Sequence, residues 1–171
     1  MTVRRYRYVG PLDVLAAVRP GREGRAIGSQ DDLAAWLGLQ GSSEPFTFVV
    51  DLAGVLRLAP RRSEHVACAG GSAVLGAGEI TFARDGERWA VEDISNQSTG
   101  YCPDLTSWAA VRHALDRAGL AHPGRFTAPI VFRLCPGCHE RNLVKDGHFA
   151  CAICGAALPE RWNFGAPGDG S

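Results

Sequence analysis

Lysine is almost missing from this 171-residue chain: of its eighteen basic residues, only Lys145 is not an arginine. Eighteen acidic residues balance them, so the formal net charge is zero and no overall field draws the protein to nucleic acid or anionic lipid. Any partner must be recognised locally. No stretch approaches eighteen uninterrupted apolar residues, which excludes a membrane-spanning helix. Behind Arg4, Arg5 and Arg7 there is no apolar run of the kind a secretory signal needs, so the sequence predicts a cytoplasmic protein. Cysteine is too sparse and too clustered, at six residues, for a disulfide scaffold; in a reducing compartment its paired spacing points to metal or redox chemistry. The Arg-, Ala- and Gly-heavy usage suggests a bacterial, GC-rich genome.

What is present is ordinary globular material: 46% hydrophobic and 21% charged residues, enough for one core. The pattern predicts an α+β fold, an antiparallel sheet with a covering helix, over residues 1–127. A zinc ribbon over 128–162 and a flexible tail over 163–171 follow. Tyr6–Val9 reads as a short strand and Leu12–Val18 as a brief helix with Pro11 at its first position. Arg19–Arg25 reads as a breaker-rich loop. Ser29 is placed to cap a helix running to Leu39, with Gly38 and Gly41 helping to stop it. From Phe46 the apolar period becomes two, and hairpins are expected over Phe46–Leu58 and over Gly78–Ile94, the second turning at Asp85-Gly86. Asp104 or Thr106 should start the main helix. It presents Leu105, Trp108, Val111, Leu115 and Ala118 at helical spacing and stops at Gly119.

The strongest chemical signal is Cys135-Pro136-Gly137-Cys138 followed, twelve residues on, by Cys151-Ala152-Ile153-Cys154. Each Cys-x-x-Cys lets two thiolates converge on one side of a tight turn, and four sulfurs at about 2.3 Å suit tetrahedral zinc. Asn142–Lys145 and His148–Ala150, around Asp146-Gly147, are expected to pair as a hairpin that returns the second knuckle to the first. The segment Phe132–Leu158 therefore resembles a zinc ribbon, with one structural Zn2+ per chain. Two redox motifs are the rival reading, though neither precedes a helix in a βαβ context. A closed set of four cysteines leaves no open position for substrate, so the ion orders chain and does not catalyse. His139 and His148 stand beside the knuckles and read as surface residues. Four basic residues of the segment (Arg133, Arg141, Lys145, Arg161) against three acidic ones leave a small phosphate footprint.

A second constellation spans His65 to Pro103. His65, Gly71, Val74, Ala77, Gly78, Glu79, Ile80, Tyr101 and Pro103 match a module shared by plant IQ-motif calmodulin-binding proteins and the tails of some bacterial toxin-like proteins, which Phe46–Pro103 resembles. Val66 and Ala67 stand where that module has a serine pair, and Gly100 where it has a histidine. The resemblance implies a shared fold more than a shared activity. On their own terms, His65, Cys68, Glu79, Asn96, Tyr101 and Cys102 are the candidate pocket of an enzyme. Cys68 and Cys102 read either as nucleophiles served by His65 or as small buried hydrophobes. With His65 they form a candidate second metal site.

Three functions follow. The first is a zinc-stabilised, cytoplasmic binding or adaptor protein acting through protein contacts. The second is a small enzyme or toxin-related effector using the pocket around His65, Glu79 and Tyr101. The third is a nucleic-acid-binding ribbon protein, which requires Arg4, Arg5 and Arg7 to share a face with Arg133, Arg141 and Lys145.

Overall fold

A computed structural model describes residues 3–40 and 44–165. Gly41, expected to help stop the first long helix, and residues 166–171 of the expected tail lie outside them.

The centre is a five-stranded antiparallel sheet in the order β1-β3-β2-β4-β5, built from β1 (Arg25–Ile27), β2 (Phe46–Val50), β3 (Leu56–Ala59), β4 (Gly76–Asp85) and β5 (Arg88–Ile94). Both expected hairpins are there. Phe48 pairs with Leu58 in the first, and Phe82 with Val91 in the second, which turns where Gly86 takes a φ of 64°. All five residues of β2 are buried, because both faces of the sheet are covered.

One face packs against α2 (Gln30–Leu39) and α4 (Trp108–Arg117). Ser29 caps α2 by accepting the Asp32 amide, as its position predicts. A single 3-10 turn capped by Asp104 leads into α4, and Gly119 ends it with a φ of 69°. Leu33, Trp36, Phe46, Phe48, Ile80, Phe82, Val91, Val111 and Leu115 share this core. Leu105, expected on the same stripe, stands exposed because the 3-10 turn rotates it off the α-helical face.

The other face is covered by irregular chain. Tyr6, Val66, Cys68, Val74 and Tyr101 pack on Val49 and Ala77, with α1 (Leu12–Ala16) and Trp162 at the margin. Several readings are corrected here. Tyr6–Val9 is no sheet strand: it holds one antiparallel bridge, Tyr6 to Val74, and one bond from the Val9 amide to Gly100. The breaker-rich loop ends in β1, which adds to the outer edge of β3. The approach to β4 contains a short helix, α3 (His65–Cys68), and Pro11 precedes α1 instead of opening it.

From Phe126 the chain runs beside β5, where the Thr127 amide donates to Ile94, and then forms β6 (Val131–Leu134), paired antiparallel with β7 (Arg141–Val144). The expected hairpin within residues 142–150 is replaced by this ladder. Asp146 and Gly147 do turn the chain, but Ala150 bridges Ala157 instead of pairing with β7. Each Cys-x-x-Cys thus sits at the tip of its own two-stranded pairing.

Candidate metal centre

The first knuckle links β6 to β7 and closes with the Cys135 amide donating to Glu140 O at 2.8 Å and the His139 amide to Cys135 O at 2.9 Å. The second repeats the pattern, with the Cys151 amide donating to Ala156 O and the Gly155 amide to Cys151 O. These turns bring Cys135, Cys138, Cys151 and Cys154 together with all four sulfurs within 4.8 Å of one another. Across the knuckles, Cys135 Sγ lies 3.5 Å from Cys154 Sγ and Cys138 Sγ 3.6 Å from Cys151 Sγ. Those spacings exceed a disulfide bond of about 2.05 Å and come close to the roughly 3.8 Å edge of a tetrahedron with 2.3 Å metal–sulfur bonds. The four cysteines are positioned to hold a metal ion.

The electrostatics suit a cation. The Cys154 amide, helped by the Ile153 amide and the Asn142 side chain, holds the Cys151 thiol down at about 6, and the Cys138 and Gly137 amides lower Cys135. Cys138 is pushed up to about 12: the Glu140 amide pulls it down, but burial and the three sulfurs around it more than offset that. Four thiolates at such separations repel one another strongly, so a bound cation must supply the compensating charge for all to ionise. The unit's own apolar cluster is small: Cys135, Cys151 and Leu158, with Val144, Phe149 and Ala156 half-buried against it. His139 and His148 are exposed and stand outside the cluster.

Asn163 closes the unit on itself by pairing with both backbone groups of Leu134, donating to its carbonyl at 2.7 Å and accepting its amide at 2.8 Å. Trp162 and Arg141 fasten the unit to the α+β part. Trp162 donates its indole N–H to Cys102 O at 2.7 Å, meets Tyr6 edge-on and carries Arg4 over its ring. Arg141 donates to Thr99 O. Arg133 is only 8% exposed, and its guanidinium donates to the carbonyls of Phe132, Pro159 and Glu160.

The six residues of the expected pocket are engaged as follows. His65 Nε2 donates to Gly78 O at 2.8 Å, and burial lowers its pKa, so the neutral ring acts as a strut between α3 and β4. Gly78 is required there, since a Cβ would meet Ser95 O at 1.9 Å. The backbone of half-buried Glu79 pairs with Ser95 through Ser95 N to Glu79 O and Glu79 N to Ser95 Oγ. Fully buried Asn96 donates to Pro103 O and Ile130 O and accepts the Ile130 amide. Tyr101 donates its hydroxyl to Ser72 O at 2.6 Å. Cys68 and Cys102 donate to the carbonyls of Arg57 and Thr99, and burial pushes both thiols up to about 12. A thiol held protonated is a poor nucleophile.

Cys68 and Tyr101 share the second apolar cluster. Among the described residues Cys135, Cys138, Cys151 and Cys154 are the only group of three or more potential ligands, so His65, Cys68 and Cys102 form no second metal site. A cavity of about 240 Å³ opens between the four-cysteine unit and the 99–102 loop, lined by Thr99, Cys102, Phe132, Glu140, Arg141 and Leu143. Of the six candidates only Cys102 reaches it, and the space is below the roughly 300 Å³ of the smallest usual ligand sites. Sequence reasoning missed Trp162, which seats the unit, and Asn163, which braces it; their only signal was an aromatic and an amide just beyond the last knuckle.

None of the protein-family models, curated proteins or solved structures compared with the chain matches it.

Proposed function

We propose that the chain is a protein-binding adaptor whose carboxyl-terminal unit is a zinc ribbon holding one structural Zn2+ through Cys135, Cys138, Cys151 and Cys154. The observation that carries this reading is the convergence of those four sulfurs within 4.8 Å, with no fifth ligand beside them among the described residues. When bound, zinc supplies order and charge neutralisation; a ligand set closed by protein has no place for a reacting molecule. The six pocket candidates support an adaptor over an enzyme, because the polar ends of His65, Asn96 and Tyr101 are spent on backbone groups. The ribbon's phosphate footprint also shrinks, since Arg133 is 8% exposed and spent on backbone carbonyls, and Arg4, needed on the same face, is paired with Asp104 at 3.1 Å. Contact with protein fits the two large apolar side chains that the ribbon presents to solvent, Leu143 at 37% and Ile153 at 71% exposure.

Ile153→Asp tests the reading. The variant is expected to keep its metal content and to lose, by tenfold or more, affinity for a partner that co-purifies stoichiometrically with the unmodified chain. Sub-micromolar binding of nucleic acid with a steep salt dependence, unaffected by this substitution, would contradict it.

A further inference from the structure

Asn142 lies on β7 and is 5% exposed, a polar side chain buried beside the knuckles where an apolar residue would otherwise pack. Its orientation follows from its neighbours. The Ala152 amide donates to Oδ1 at 3.0 Å, which fixes the oxygen on that side and turns Nδ2 the other way. One Nδ2 hydrogen then goes to Glu140 O at 3.1 Å, and the other points at Cys151 Sγ, 3.5 Å away. That carbonyl also accepts the Cys135 amide, so this one side chain touches both knuckles: the closing bond of the first and the ligand and backbone of the second. The other donors to the four sulfurs are backbone amides, among them Cys138 N to Cys135 Sγ at 3.5 Å and Ile153 N to Cys151 Sγ at 3.4 Å.

We propose that Asn142 is the positioning residue of the metal centre, its side-chain N–H fixing the Cys151 sulfur in the orientation that faces the ion. The inference rests on the zinc reading above and goes beyond it by assigning the outer partner that decides how firmly the ion is kept. A hydrogen bond to a coordinated sulfur draws off electron density, lowers the sulfur's nucleophilicity and fixes its rotamer; loss of such a partner typically weakens metal affinity by about 10- to 100-fold. Cys151 is 4% exposed and receives the Asn142 side chain besides backbone amides, while Cys138 and Cys154 are exposed, so Cys151 is expected to leave after those two.

The test begins with the unaltered chain loaded with a spin-active cadmium isotope, in which magnetisation passes from metal to proton across an N–H···S bond. A correlation between the metal and the Asn142 side-chain amide, beside those to the Cys138 and Ile153 amides, is expected. Backbone correlations without the Asn142 one would overturn the assignment and leave the metal centre standing. Failure to bind either cadmium or zinc would overturn the metal centre and the inference with it. The second arm is Asn142→Asp, which preserves an acceptor for Ala152 and removes the donor. Its zinc affinity should fall at least tenfold, and alkylation of Cys151 in the zinc-bound form, mapped by peptide mass, should accelerate. Affinity within twofold and an unchanged Cys151 rate would show that Asn142 only staples backbone.

Discussion

At the scale of single residues, side chains that advertise chemistry have been recruited to hold backbone. His65, Gly78 and Tyr101 all lie in the stretch whose polar and glycine residues suggested chemistry, and the structure gives each a mechanical duty. The ring of His65 ties α3 to the Gly78 carbonyl, Gly78 makes room for Ser95, and Tyr101 anchors Ser72. A sequence shows that a histidine is present but not whether its nitrogen faces a carbonyl or a substrate; that depends on contacts thirteen or more residues away. The His65 strut has a pH signature. Its folded pKa lies below the ordinary value of about 6.5, so below that pH the unfolded chain binds the extra proton and stability falls. Urea midpoints should drop as pH is lowered from about 6.5 toward the folded value, by up to about 1.4 kcal/mol per unit from this group. His65→Gln should be less stable at pH 7.5 and show a shallower decline. An identical slope in the variant would remove the histidine from the account.

At the scale of elements, local signals were legible and long-range ones were not. Ser29, the alternation through Phe46–Leu58 and Gly78–Ile94, and the Trp108–Ala118 stripe declared themselves because capping and amphipathic period act within a few residues. β1 was hidden, since its three residues become a strand only by pairing with Leu56, Arg57 and Leu58. The ladder β6–β7 was missed for a related reason. Asp146-Gly147 is a genuine turn, but a turn dipeptide does not say which flanking segment pairs with which. Docking of the ribbon is the other element-scale property, and it centres on Trp162. Trp162→Phe should keep the ring contact with Tyr6 yet lose the bond to Cys102 O, costing about 1 kcal/mol. Trp162→Ala should cost about 2 kcal/mol or more and raise amide exchange in β6 and at Cys102 together. Exchange rising in only one of the two would mean that the ribbon and the 99–102 loop are not coupled through this ring.

At the scale of the whole molecule, the sheet and the four-cysteine segment differ in how much apolar core they bury. Residues up to about 120 have an apolar core on each face of the sheet, and the second face is sealed by irregular chain that includes Trp162 from the far end. No described helix is long and apolar enough to cross a membrane. The four-cysteine segment has a small apolar cluster, and its sulfurs stand close enough that a cation would let them ionise together. The spacing of the cysteines was readable from sequence because it is local geometry. The segment's seating on Thr99 and Cys102 was not, since it depends on where the sheet ends.

Native mass spectrometry of the freshly isolated chain is the most direct check. The account predicts a mass exceeding the polypeptide by one zinc less the protons displaced, and loss of that increment, with four newly reactive thiols, on chelation. A metal-free mass with those thiols already reactive, or two metal ions per chain, would contradict it.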